Sequence, residues 1–337
     1  MIGDDHDIRD GWGSFAADSP TLAAKYPRGT KIFEKHNNFF LDAQDVYWHF
    51  QMAHNPAPSI SINGDRFAMP YAFQCGRLLV LVTDARGERD LWRLQKPVFG
   101  ESQWEFITNL VENIPSYIDA VAIITSVPIA SMSPGNIGQR TVGKLEPDVR
   151  KFKRGDEKGI KLLLKQGGAI PELGKLEKIY SKVLGKTRKK IDDVRDQWAH
   201  PTSRLEQEKL IRLAGEIKTK NRLNGNPREI IFLGGEVHVG CIFEISVSNP
   251  SFKTTCMVSS GISQFADTKF LIGVVIDEDF EVALGIKSNL RDVVHSYNFG
   301  VIHFVPGGGA TPRLIPAIIG KDGAKAGVIK IGKNALF

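Results

Sequence analysis

The sequence predicts an α/β fold in which helices connect parallel strands, followed by a mainly antiparallel β region. Three observations predict it. Residues 77–83 (RLLVLVT) and 120–126 (AVAIITS) are continuous apolar runs, the pattern of strands buried on both faces. Between them, Trp104, Ile107, Leu110 and Val111 share one helical stripe over 102–113. From Val239 onward the pattern changes to short alternating stretches such as IFEISVS and FLIGVVIDEDFEVALGI, with Gly, Asn and Asp between them. Strand, helix, strand in that order argues for a parallel core rather than stacked hairpins.

The other elements follow in order. Residues 1–3 form a short apolar lead into an acidic turn, as a buried strand does when its carboxyl end delivers ligands. Residues 42–54 carry Val46, His49, Phe50 and Ala53 at helical spacing, and Pro56 and Pro58 stop the helix. Residues 203–222 place Leu210, Leu213, Ala214 and Ile217 on one stripe; NGNP then breaks the chain before a strand at 230–233. The segment 150–190 reads as an insertion on the core, with two amphipathic helices (157–165 and 172–183) around QGGAIP. No internal repeat is present, so the chain reads as one domain over 1–337 with that insertion and a C-terminal β region at about 239–337.

Composition narrows the function classes. With 42% apolar and 24% charged residues the chain can bury a sizeable core. Cys75, Cys241 and Cys256 show no CxxC spacing, which argues against a disulfide framework or a thiolate zinc site. No apolar run approaches the ~20 residues of a spanning helix. The acidic start MIGDDHDIRDGW does not resemble a signal peptide, so the expectation is a cytoplasmic protein. The net charge of +6 is local: 14 Lys/Arg stand against 4 Asp/Glu between Arg150 and Lys190, and the rest of the chain is net negative. A solvated helical face explains that run better than nucleic acid, because only Phe152 and Tyr180 could stack on bases. The charge alone keeps an acidic partner open as the alternative function.

Two clusters carry chemistry. Asp4, Asp5, His6 and Asp7 combine hard oxygen donors with an imidazole, which suits Zn, Mn or Fe; an Asp-rich helix N-cap is the competing reading. Far downstream, FLGGEVH ends a buried strand in two glycines and then presents Glu236 and His238 two apart, so both reach one side of an extended chain. Arg86 and Arg89 follow Asp84 at another strand end, where a guanidinium either clamps phosphate oxygens or pairs with a neighbouring acid. His200 either enters the site or packs on the Trp198 indole. The remaining histidines, His36, His49, His54, His295 and His303, show no partner pattern.

DDHD at 4–7 resembles the DDHE block of the PhoD-like (alkaline phosphatase D) family of calcineurin-like metallophosphoesterases, and GGEVH at 234–238 resembles its SGDVH block. Between them, LVLVTDARGER at 79–89 is similar to the family's strand ending in D-x-R, and FGESQ at 99–103 to its G-x-x-Q. Asp196-Gln197-Trp198 is similar to its D-x-W, and VSSGI at 258–262 to its late serine-rich strand. The resemblance covers roughly residues 1–263. It implies a two-sheet β-sandwich core flanked by helices and hydrolysis of a phosphomonoester or phosphodiester by a metal-activated hydroxide. The ions it implies are divalent or mixed (Zn, Mn, Fe or Ca). By the same resemblance Asp5, Glu236 and His238 are metal ligands, and His6 assists the leaving group or steadies phosphate. Arg86 is a catalytic phosphate clamp, with Asp4, His200 and Arg89 as additional candidates.

Two departures matter. Glu236 stands where the family has Asp, one methylene shorter. The family's GD-x-x-Y segment, a source of an early carboxylate, would lie upstream of Met1, so the expectation is an N-terminally incomplete domain with an exposed sheet edge. Asp5, Glu236 and His238 suffice for one ion with an open position but are poor for the family's two, which predicts weak or absent two-metal activity and a catalytically impaired relative as the alternative.

Overall fold

A computed structural model describes residues 7, 30–56, 68–88, 98–133, 197–199, 203–222, 225–237, 239–259, 276–294, 296–307, 310–321 and 325–326. The insertion expected at 150–190 and the strand expected at 1–3 lie outside them.

The fold is mixed α/β. Among the described residues, helices α1 (Lys31–Phe50), α2 (Glu101–Glu112) and α3 (Arg204–Thr219) accompany eleven strands. The strands are β1 (Tyr71–Cys75), β2 (Leu78–Val82), β3 (Ala120–Ile124), β4 (Glu229–Gly234), β5 (Gly240–Ser248) and β6 (Ser251–Ser259). There follow β7 (Asp279–Ala283), β8 (Ile286–Val294), β9 (Asn298–Val305), β10 (Arg313–Gly320) and β11 (Lys325–Ala326). The larger sheet has eight strands in the order β1-β2-β3-β4-β6-β5-β8-β7, and the smaller has three in the order β11-β10-β9. β2, β3, β4 and β6 run parallel; all other pairings are antiparallel.

Period-two alternation builds both faces of the large sheet. Leu79, Leu81, Val121, Ile123, Ile230 and Phe232 face one way, into a core with Ile107 and Val111 of α2 and Leu210, Ile211, Ala214 and Ile217 of α3. Each of these large side chains resists truncation to alanine by roughly 2–5 kcal/mol. Val80, Val82, Ala120, Ala122 and Ile231 face the other way, against Leu314 and Ile318 of the small sheet and Tyr47, Trp48 and Met52 of the α1 region. The two sheets therefore pack as a sandwich, with α2 and α3 on the outer face of the larger one.

Three sequence expectations are adjusted. The mainly antiparallel β region expected from about 239 does not stand apart from the parallel core: β5 to β8 continue the first sheet, because β6 returns beside β4 and pairs with it in parallel. Only β9 to β11 are separate. The first helix begins at Lys31, eleven residues before the expected start, and among its described side chains up to Phe39 all are exposed. β1 was not expected at all; it is the edge strand of a hairpin with β2, reversed through a two-residue loop in which Gly76 adopts φ +59°. Among the described residues no helix is long and apolar enough to cross a membrane.

Candidate functional site at the strand ends

In a parallel sheet the carboxyl ends of the strands lie along one edge, and the loops leaving them meet there. The register aligns Val82 with Ile124, Ile124 with Leu233, and Leu233 with Met257. The ladder persists past the strands. Thr83 N donates to Ile124 O at 3.0 Å, Thr125 N to Leu233 O at 2.9 Å, and Gly235 N to Ser126 O at 3.0 Å. The loops at 83–87, 125–128 and 235–237 are thus held side by side. Gly234 is required for this closeness, because a Cβ there would stand 2.8 Å from Pro128 Cα.

The β2 exit is built around buried Asp84. Its Oδ1 accepts from the amides of Arg86 and Gly87 (2.8 and 2.9 Å) and its Oδ2 from the Met69 amide (2.9 Å). Both oxygens are occupied by backbone, so Asp84 shapes the turn. Gln103, fully buried in the first turn of α2, clamps the same residue from behind: its Oε1 accepts from Asp84 N and its Nε2 donates to Asp84 O, each at 2.8 Å. Glu88 anchors the start of α2 by accepting from Gly100 N (2.9 Å) and Ser102 Oγ (2.7 Å). The D-x-R and G-x-x-Q blocks of the sequence are therefore two halves of one brace.

This brace delivers Arg86, 2% exposed, to the β4 exit. Its Nη2 donates to Glu236 Oε1 at 3.1 Å, across 150 residues of chain. Glu236 sits at φ +69° at the centre of a three-residue turn, closed by Val237 N donating to Gly235 O at 2.9 Å. That γ-turn is rare and strained for any residue with a Cβ, costing about 1–3 kcal/mol.

α1 presents Tyr47, and Gln51, four residues on, follows directly after its end. Gln51 Nε2 donates to Asp7 Oδ1 at 2.7 Å. Tyr47 packs with Met69, Val80 and Val82. Burial, then the carboxylates of Asp84 and Asp7, push its phenol well above the ordinary range, so it stays neutral. Asp7, last of the acidic run, is thus held on the α1 flank that also faces Asp84. Sequence reasoning missed Tyr47 and Gln51; their i, i+4 spacing was the available signal.

Of the residues singled out in the sequence, the structure brings Arg86 and Glu236 together. Asp4, Asp5, His6, Arg89, His200 and His238 lie outside the described residues. Trp198 is buried edge-on to Phe99, and its indole donates to Val127 O at 3.2 Å. Among the described residues, no three His, Cys, Asp or Glu side chains stand together as a metal site. Cys241 and Cys256 are buried packing thiols, both with pKa raised by burial, Cys256 to about 12.

The fold and site define an α/β protein of two packed sheets whose charged residues converge at parallel strand ends. No model of a known protein family matches the chain, and no curated protein matches it. A solved structure of PhoD aligns with 97% of this chain and 54% of its own at 14% identity and a TM-score of 0.44. The chain spans about half the length of that protein.

Proposed function

We propose that this chain is a metal-dependent phosphoesterase acting at the carboxyl ends of β2, β3 and β4. One observation carries the reading: Glu236 is held in a strained γ-turn with its carboxylate against the buried Arg86 guanidinium, uniting two motifs singled out independently in the sequence. Strain of this kind, maintained where loops of a parallel sheet meet, is characteristic of functional sites.

Asp5, Glu236 and His238 would hold a divalent cation; carboxylates with an imidazole suit Zn, Mn or Fe, and the carboxylates also suit Ca. The chemistry such an ion supplies is charge stabilisation on phosphoryl oxygens and a water of lowered pKa. Arg86 serves the ester itself. Its guanidinium, positioned by the Asp84 turn and the Gln103 clamp, offers a planar fork to two phosphate oxygens while Glu236 limits its movement. His6 is placed in the sequence to protonate the departing alcohol, one residue before the Asp7 that Gln51 holds.

The test is phosphate or p-nitrophenol release from p-nitrophenyl phosphate and bis(p-nitrophenyl) phosphate. The protein is stripped with a chelator and resupplied with Zn, Mn, Fe or Ca. Cation-dependent turnover is expected, abolished by His238→Ala, with Arg86→Gln raising KM more than it lowers kcat. Absence of turnover with every cation, or turnover that survives His238→Ala, overturns the proposal.

A further inference from the structure

Helix α1 has three sides, and the fold accounts for only two of them. At 3.6 residues per turn, Phe40, Gln44, Tyr47 and Trp48 share the side that packs on the body of the protein. Asn38, Asp42, Asp45 and His49 share a second side, exposed and polar, on which His49 Nδ1 meets Asp45 O at 2.9 Å. Phe39, Ala43, Val46 and Phe50 share the third, within about 60° of arc and roughly a third of a turn from the packed side. There Phe39, Val46 and Phe50 are 47%, 57% and 72% exposed. A helix side left to water is ordinarily polar, as the second one is. A continuous apolar stripe on an exposed side marks a contact surface.

The spacing of the stripe says what fits it. Its members stand 4, 3 and 4 residues apart, the same steps read in either direction. A second copy laid antiparallel on the first therefore matches it residue for residue. Phe39 meets Phe50 and Ala43 meets Val46, each pair twice, about a two-fold axis at the level between Gln44 and Asp45. Alternating steps of four and three are the seam of paired helices, and the small Ala43 at its middle lets the two backbones approach. The polar side agrees. In the same arrangement His49 of one copy falls at the level of Phe40 of the other, between Asn38 and Asp42, so an imidazole stands beside an acid of the second copy and away from its own counterpart.

We propose that this stripe is the contact surface of a homodimer in which α1 pairs antiparallel with α1 of a second copy. The packed side of α1 is turned by more than a right angle from the stripe, so the helix presents it outward. Phe39 to Phe50 spans about 16 Å, too short a contact for the ~1,600 Å² of a standard stable interface, and the dimer is accordingly weak and reversible. The surface is independent of the phosphoesterase reading.

The experiment is sedimentation velocity of the full chain from low micromolar to several hundred micromolar. An equilibrium between monomer and dimer is expected, moved roughly tenfold or more toward monomer by Val46→Glu, which sets a carboxylate against Ala43 of the other copy on both sides of the axis. Phe39→Cys and Phe50→Cys, each combined with Cys75→Ser to remove the exposed native thiol, should form an intermolecular disulfide only when mixed. Like positions stand about 16 Å apart along the antiparallel pair, beyond the reach of a disulfide. Thermal unfolding at the lowest concentration should give Val46→Glu the same midpoint as the parent. Four results overturn the proposal: a chain monomeric at every concentration, a dimer indifferent to Val46→Glu, a disulfide formed by either cysteine variant alone, or a dilute Val46→Glu chain that melts earlier, the sign that a segment of the same chain already covers the stripe.

Discussion

Asp119 offers the clearest link between one side chain and the stability of the whole sandwich. It precedes β3 and is 1% exposed, yet it is charged. Arg77 donates to it twice (Nε to Oδ2 at 2.6 Å, Nη2 to Oδ1 at 2.9 Å), Arg222 donates to Oδ1 at 3.3 Å, and the Gly307 amide donates to Oδ2 at 2.8 Å. Gly307 belongs to the loop joining β9 to β10, so this carboxylate ties the small sheet to the large one. The Arg77 hydrogen bonds, aided by the Gly307 amide and Arg222 and opposed by burial, lower its pKa from 3.8 to about 2. A folded-state pKa below the unfolded one means that the unfolded chain binds more protons between the two values. The stabilisation is therefore complete above pH 3.8 and is lost as pH falls through 2. A shift of that size corresponds to roughly 2.4 kcal/mol before screening; solvent around the half-exposed Arg77 reduces it to about 1–2 kcal/mol. Asp119→Asn should lower urea-unfolding stability by that amount at pH 7, followed by circular dichroism with unchanged m-value. At pH 3 the gap between the variant and the parent should shrink to about half. A gap that stays constant from pH 7 to pH 3, or widens, would refute the reasoning.

Arg228 is fully buried and donates to the carbonyls of Ile118, Ile217, Lys220 and Pro115. Burial, then Arg222, pushes its pKa down to about 10. Arg228→Lys cannot reach all four acceptors, and thermal unfolding should show a loss of about 2–4 kcal/mol. Glu236→Gly relieves the backbone strain at φ +69° but leaves the buried Arg86 without its carboxylate, so a net loss of about 1–3 kcal/mol is expected in urea titration, where a stabilised variant would contradict the ion-pair account. Gln51→Ala removes the donor to Asp7, and hydrogen exchange at Asp7 should quicken several-fold while exchange in β2 to β4 stays unchanged.

The buried strands were legible because their burial is written into their composition. Leu79, Val80, Leu81 and Val82 are apolar at every position, which only a strand covered on both faces tolerates, and β2 and β3 stand where those runs predict. α2 and α3 were equally legible, since one apolar stripe faces Phe232 and its neighbours. β1 was not. Its outer residues are half-exposed or exposed, and as an edge strand it exists through its pairing with β2. The same holds for the first half of α1, where Lys31, Glu34, Lys35, Asn38 and Phe39 are exposed and Phe40 is buried among the described side chains; the second half was expected from 42 onward.

For the site, the sequence alone singled out Glu236 beyond one buried strand and Arg86 beyond another, the arginine either as a phosphate clamp or as the partner of a neighbouring acid, and the structure shows the pairing with Glu236. The sequence could not say that they touch. Local chemistry determines which segments become strands and helices, since periodicity and burial are properties of consecutive residues. Which strand ends lie side by side depends on β6 returning beside β4, on Gln103 reaching back to Asp84, and on the absence of a Cβ at Gly234. Those are contacts between residues far apart in the chain, made only once packing has brought them within hydrogen-bonding range, and so tertiary structure alone decided them.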